Sequence, residues 1–282
     1  MAEKQIKTDF SDWLVVSDID GTLNNKLRRL PKRNYDAINE FVVEKKGRFT
    51  LASGRNVSSI RKPYESLPMI AGTPAVILNG AGIYDVMNDK ILDFTPINPM
   101  GYELFKSAMK KFSMLEAYIL TSREGYAVNS HIFAEAMLIS DDLPHKRFKK
   151  ADEVPPDDWG KVIFLGMPTL ISSVKKYLYG ATDTSVNLMS SSIASFEMVE
   201  QGVHKGTAIM KIADMFGIKK EHTAAIGDYF NDFDMLKTVG LPACCGQAPK
   251  EMHEIAKFEA CHCNKGAVGD LLNYIMYTYK EN

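Results

Sequence analysis

Short apolar runs that stop abruptly at polar residues constrain this chain more than any other feature. Trp13-Leu14-Val15-Val16-Ser17 runs into Asp18, Phe49-Thr50-Leu51-Ala52 into Ser53-Gly54-Arg55, and Ala75-Val76-Ile77-Leu78 into Asn79-Gly80. Runs of this length and character read as strands buried on both faces. Helical patterns separate them: Pro31 opens one with apolar Tyr35, Ile38, Phe41 and Val42, closed by Gly47, and a second starts near Val57. Strands alternating with helices predict a parallel sheet covered on both sides, an α/β architecture with a Rossmann-like core. Such open sheets bind ligands beyond the carboxyl ends of their strands, where the polar residues stand.

From about residue 81 to about residue 195 the pattern changes. Apolar residues alternate more, as in Tyr118-Ile119-Leu120 and Tyr126-Ala127-Val128, which predicts a sheet with one solvated face. Two helices are expected there, over roughly 100–112 and 170–179, and the polar, proline-containing stretch 141–158 reads as a loop. After Gly202 the first pattern resumes, with a helix over 205–216 closed by Gly217 and a strand at Thr223-Ala224-Ala225-Ile226. The expected organisation is a core of residues 1–81 and 196–282 carrying an inserted α+β cap of residues 82–195.

Charge excludes some functions. The chain has 282 residues, with 34 basic against 35 acidic, so no global field attracts nucleic acid or an anionic membrane. The N-terminal stretch 1–13 carries charges throughout and has no signal-peptide core, and no run is apolar enough to span a membrane. A cytoplasmic protein is expected. Cys244, Cys245, Cys261 and Cys263 crowd together, each pair within an apparent strand, and lack zinc-site spacing. They read as buried free thiols.

Four segments can carry chemistry. In Asp18-Ile19-Asp20-Gly21-Thr22, the two-residue period of extended chain sends both carboxylates the same way, and Gly21 lets the chain bend. Carboxylates so close repel unless a cation or shared proton relieves them. Gly227-Asp228-Tyr229-Phe230-Asn231-Asp232 adds two more at another strand end. Ser53-Gly54-Arg55 offers a hydroxyl and backbone amides to an anion. Lys205 stands at a helix start, where it opposes the helix dipole and needs a negative partner. Singly, these segments also read as a turn, an Asx cap, a helix N-cap and a solvated lysine.

Together, in order and spacing, they resemble the haloacid dehalogenase superfamily, whose pattern is DxDGT, then Ser or Thr at a strand end, then Lys, then GDxxND. The position of the insertion is similar to that of the superfamily's second cap class (subfamily IIB). Leu78-Asn79-Gly80-Ala81 resembles the NGA signature of its Cof-like phosphatases, and Asn264-Lys265-Gly266-Ala267-Val268 resembles their C-terminal element. Gly246-Gln247-Ala248 stands where those phosphatases usually have Gly-Asn-Ala, so Gln247 departs from the pattern. The resemblance implies a magnesium-dependent phosphomonoester hydrolase acting on small phosphorylated metabolites, sugar phosphates foremost. Asp18 would be the nucleophile and Asp20 the acid/base. Mg2+ would be held by the Asp18 and Asp228 carboxylates and the Asp20 backbone carbonyl, with Asp232 supporting through water. Ser53, Gly54, Lys205 and Asn231 would hold the phosphoryl oxygens, and Arg55 and Asn79 would meet the leaving group. Within the cap, His131, His145, Arg123 and Arg147 are weaker candidates. The alternatives are a sugar phosphomutase resembling phosphomannomutase and a ligand-binding protein without turnover.

Overall fold

The computed structural model describes residues 9–68, 72–140, 142–181, 185–190 and 192–279. Residues 1–8 of the charged N-terminal stretch, and Asp141 at the edge of the expected loop, lie outside the described residues.

The first apolar run forms β1 (Leu14–Ser17), buried throughout. Helix α1 (Lys32–Asn39) follows and continues into a π-helical turn at Glu40–Glu44. Strand β2 (Arg48–Leu51) then pairs parallel with β1. Helix α2 (Val57–Glu65) opens on Asn56, whose side chain accepts from the Ser58 and Ser59 amides. Strands β3 (Ala75–Ile77), β4 (Gly82–Asp85) and β5 (Lys90–Phe94) form a small antiparallel sheet. The third apolar run therefore pairs mainly with the chain that follows it. An isolated parallel bridge between Ala52 and Val76 joins it to the end of the β2 strand.

The middle of the chain supplies α3 (Pro99–Lys111), β6 (Glu116–Thr121), β7 (Gly125–Val128), α4 (Phe133–Ser140) and β8 (His145–Phe148). It continues through β9 (Trp159–Leu165), α5 (Pro168–Ala181), β10 (Val186–Ser190) and β11 (Ser195–Glu200). These strands build one six-stranded sheet in the order β10-β11-β9-β6-β7-β8. Two expectations are corrected here. The sheet does not have one solvated face: β6 and β9 are buried at every position. Helices α3 and α5 cover one face around Phe105, Trp159 and Phe164. Helix α4 covers the other, where Ala134 and Leu138 join Tyr118, Leu120 and Ile163. The expected loop over 141–158 contains β8, an exposed edge strand of sequence HKRF. Its charges hide the strand from a hydrophobicity reading and also guard the sheet edge against further pairing.

The last part alternates again: α6 (Lys205–Met215), β12 (Thr223–Gly227), α7 (Phe233–Thr238), β13 (Leu241–Cys244), α8 (Lys250–Ile255), β14 (Phe258–Glu259) and α9 (Ala267–Thr278). It completes a parallel sheet in the order β14-β13-β12-β1-β2. Leu14 and Val16 of β1 pack with Ile209 and Ile212 of α6 and Met235 of α7. Val15 packs in the opposite cluster, with Ile38 and Leu272 of α1 and α9. The two-residue period of the strand thus feeds both layers. The architecture is a Rossmann-like parallel core with an inserted α+β cap. Among the described residues no helix is long and apolar enough to cross a membrane. The four cysteines are free. Cys261 and Cys263 lie past β14, in a loop and a 3-10 turn, so the strand expected for that pair is absent.

Candidate active site

Asp18 emerges at the carboxyl end of β1, and its N–H donates to the Ile226 carbonyl of neighbouring β12 at 3.0 Å. The chain then folds back at once: Leu23 N–H donates to Asp18 O and Asn24 N–H to Ile19 O. Gly21 makes this turn at φ +90°, and a Cβ there would lie 2.4 Å from Asp228 Oδ2. Only a residue without a side chain lets the turn and the Asp228 carboxylate share this space. Thr22 Oγ1 donates to Asp228 Oδ1 at 3.2 Å. Gln247 braces the turn from behind, donating Nε2–H to the Gly21 carbonyl at 2.6 Å and accepting from Cys263 N–H at 3.0 Å. The residue that departs from the family pattern is therefore a strut under the acidic loop.

Lys205 is fully buried at the first position of α6. It donates to Asp18 Oδ1 and Asp232 Oδ1, each at 2.6 Å. Its placement depends on Gly80 (φ +108°), where a Cβ would stand 2.3 Å from the His204 carbonyl, so the Asn79-Gly80 turn packs directly on the start of α6. Asp232 Oδ2 accepts from the Asp228 and Tyr229 amides at 3.1 and 3.4 Å. Burial would push the Lys205 ammonium down, but Asp18 and Asp232 outweigh it and hold it above the ordinary lysine value. Burial raises the Asp18 carboxyl well above the usual carboxylate range, with Lys205 opposing and Asp232 adding to the rise. Asp228 is pushed up to about 6, by burial first and then by Asp18, against hydrogen bonds from Thr22 and Gln247.

Oxygens of Asp18, Asp228 and Asp232 lie within 4.8 Å of one another. An all-oxygen, crowded, acidic donor set suits a hard divalent cation, which would offset the burial and the mutual repulsion that raise Asp18 and Asp228. Both Asp232 oxygens already have partners. That leaves Asp18 and Asp228 as the carboxylates better suited to direct ligation.

Above this cluster opens a cavity of about 500 Å3, lined by Asp18, Asp20, Ser53, Gly54, Arg55, Asp228 and Asn231 among others. Seven of the sequence-predicted site residues thus meet in one space. Lys205 and Asp232 lie buried beneath it. Asn79 borders an adjoining cavity of about 150 Å3 that shares Gly54 and Asn231 with the first. Ser53 is held by its N–H on Val76 O and by Asn79 N–H on its own carbonyl, both at 3.0 Å. Its Oγ accepts from Arg55 N–H at 3.3 Å. The half-exposed Asp20 carboxylate accepts Nε and Nη2 bonds from Arg55 at 2.9–3.1 Å.

The cap contributes residues that sequence reasoning missed. Lys161 on β9 and Glu197 on β11 line the cavity together with Leu120, Met137 and Ile163. The available signal was a charge set inside an apolar strand, in WGKVIFL and in SFEMVE. None of the cap candidates His131, His145, Arg123 and Arg147 lines the cavity. Arg123 pairs with Asp89 at 2.6 Å and Arg147 with Glu135 at 2.9 Å.

The family model for haloacid dehalogenase-like hydrolases matches residues 15–272. A putative phosphatase of Bacillus subtilis, YxeH, is 24% identical over 273 residues, covering 93% of this chain and 98% of its own length. A haloacid dehalogenase-like hydrolase from Bacteroides thetaiotaomicron superposes with a TM-score of 0.80 at 20% identity, covering 93% of this chain and 99% of that one. A sugar phosphatase described as subclass IIB superposes at 0.76 with 16% identity, covering 93% and 98%. With most of its length matched by that family model, the chain belongs to the haloacid dehalogenase-like hydrolases and has the fold of their subclass IIB.

Proposed function

We propose that the protein is a magnesium-dependent phosphatase that hydrolyses monoesters of small phosphorylated metabolites, sugar phosphates foremost, in a cytoplasmic setting. The observation that carries this reading is the convergence of Asp18, Asp228, Asp232 and Lys205 under one cavity, with Asp20 and Ser53 on its walls. A cavity of about 500 Å3 suits a small ester and its leaving group. The reading divides the chain into a core, 1–81 with 196–282, and a cap of 82–195 whose sheet runs on to Glu200.

In this mechanism an Asp18 carboxylate oxygen attacks phosphorus, and the bond from phosphorus to the ester oxygen breaks. Asp20 gives that oxygen its proton, then takes one from the water that hydrolyses the aspartyl phosphate and releases inorganic phosphate. Both Asp20 oxygens accept from Arg55, and Oδ1, with a single bond from it, keeps a lone-pair site for the substrate. Ser53, the Gly54 amide, Lys205 and Asn231 hold the phosphoryl oxygens, Lys205 while fixing Asp18 in position. Arg55 and Asn79 meet the leaving group. Asp18, Asp228 and the Asp20 carbonyl, with Asp232 in support, would hold a magnesium ion, which would supply the charge neutralisation that a carboxylate needs to approach a phosphate dianion.

The test is a panel of phosphorylated metabolites assayed for inorganic phosphate, with magnesium and with chelator. Release that needs magnesium is expected for sugar monophosphates. Isomerised sugar phosphate with no free phosphate would point to a mutase, and no turnover on the whole panel to a binding protein.

A further inference from the structure

Lys161 and Glu197 enter the cavity from adjacent strands of the six-stranded sheet, and both are buried. Their charged atoms approach to 3.4 Å. A buried ion pair holds its place less well than apolar residues of the same size unless its remaining donors and acceptors are satisfied. Part of that satisfaction comes from the core. Lys161 Nζ donates to the Gly54 carbonyl at 2.9 Å, and Glu197 Oε2 accepts from Asn79 Nδ2 at 2.7 Å. The pair is thereby seated directly against the loop assigned to the phosphoryl group.

The rest is left open. An ammonium has three N–H donors; one goes to the Gly54 carbonyl, and Glu197 faces it only as an ion pair at 3.4 Å. Glu197 Oε1 accepts from no described residue. Asn79 Oδ1, at the same junction, is buried without a partner. The donors left on Lys161 and the open Glu197 Oε1, with no net charge between the two residues, form a surface complementary to hydroxyl groups, which both give and accept hydrogen bonds. A carboxylate or second phosphate would face Glu197 with its attraction to Lys161 already shared.

We propose that Lys161 and Glu197 are specificity-determining residues that select a neutral, polyhydroxylated leaving group beside the ester and reject one carrying a second anion. This rests on the phosphatase reading above. Glu197 takes the proton of a substrate hydroxyl as a hydrogen bond, and Lys161 donates to that hydroxyl or its neighbour. Buried polar groups left unpaired by the wrong substrate are the source of the discrimination.

The test compares kcat/KM for matched esters: glycerol 3-phosphate against 3-phosphoglycerate, and glucose 6-phosphate against 6-phosphogluconate, with p-nitrophenyl phosphate as the common reference. Wild-type protein is expected to favour the neutral member of each pair. Glu197→Gln frees the Lys161 charge and should move the ratio toward the anionic member by about tenfold or more, the size of one charge-assisted hydrogen bond. Lys161→Gln should move it the other way. A structural defect alone lowers all five esters together and leaves the ratios fixed. Wild-type ratios near unity or favouring the anions, or variants with unmoved ratios, overturn the assignment. No hydrolysis of any ester, the p-nitrophenyl one included, means that the phosphatase reading has failed and takes this assignment with it.

Discussion

Replacing Gly21 by alanine tests whether the turn after β1 and the Asp228 carboxylate form one mechanical unit. The added Cβ would lie 2.4 Å from Asp228 Oδ2, where ordinary contact begins at 3.4 Å. The carboxylate must retreat by about 1 Å, and the cavity that it lines gives it room to do so. The Thr22 bond at 3.2 Å is then lost. The backbone adds its own cost: an L-residue in the left-handed region loses about 1–2 kcal/mol. A stiffer unfolded chain returns about 0.4–1 kcal/mol of that. With the lost Thr22 bond, worth about 1 kcal/mol, the net loss is about 2 kcal/mol, which lowers the melting midpoint by about 3–4 °C in a chain of this size. Function should suffer more, because a group displaced by about 1 Å costs on the order of a hundredfold in rate. Disturbed support of a metal ligand costs about 10–100-fold in affinity. Phosphate release during a magnesium titration, beside a thermal melt of the same sample, measures both. Gly21→Ala should melt slightly lower, need at least about tenfold more magnesium and lose most of its kcat/KM. A small melting shift with unchanged magnesium dependence and unchanged kcat/KM would refute the coupling.

Two further outcomes are expected. Gln247→Asn shortens the strut between the Gly21 carbonyl and the Cys263 amide. It can keep only one bond, at a cost of about 1 kcal/mol; thermal unfolding and the magnesium requirement should both shift, and no change in either would mean the strut is idle. Because burial and Asp18 raise the Asp228 carboxyl to about 6, a proton would compete with a cation bound there. Apparent magnesium affinity should fall as pH drops through about 6 and level off above it, with protons released on binding. Calorimetry at several pH values that found a constant affinity would count against Asp228 as a ligand.

Much of the site could be read before the fold was known, for a local reason. Asp18, Ser53 and Asp228 each follow a short apolar run, and the end of such a run is where a buried strand stops and its sheet opens to ligand. Lys205 was legible because a lysine at a helix start needs an anion, and the structure gives it two. What stayed hidden depends on contacts between distant segments. Nothing in its local sequence aims Gln247 at Gly21, 226 residues away. Helix α4 carries apolar residues on several sides, as FAEAMLIS shows, so no periodic stripe marked it. Alternation in 118–120 and 126–128 pointed to one solvated face, but β6 and β7 are buried at every position, with α4 packed on them. Lys161 and Glu197 sit in strands whose neighbours are buried, and only the cavity between cap and core gives their charges a use.

The most direct measurement asks whether Asp18 carries the phosphoryl group. Protein mixed with substrate and magnesium, quenched in acid within milliseconds and digested, should yield a peptide containing Asp18 heavier by one phosphoryl group. Asp18→Asn and magnesium-free samples should lack it. A protein that turns substrate over while Asp18 stays unmodified, or an Asp18→Asn variant releasing phosphate at the unaltered rate, would contradict the account.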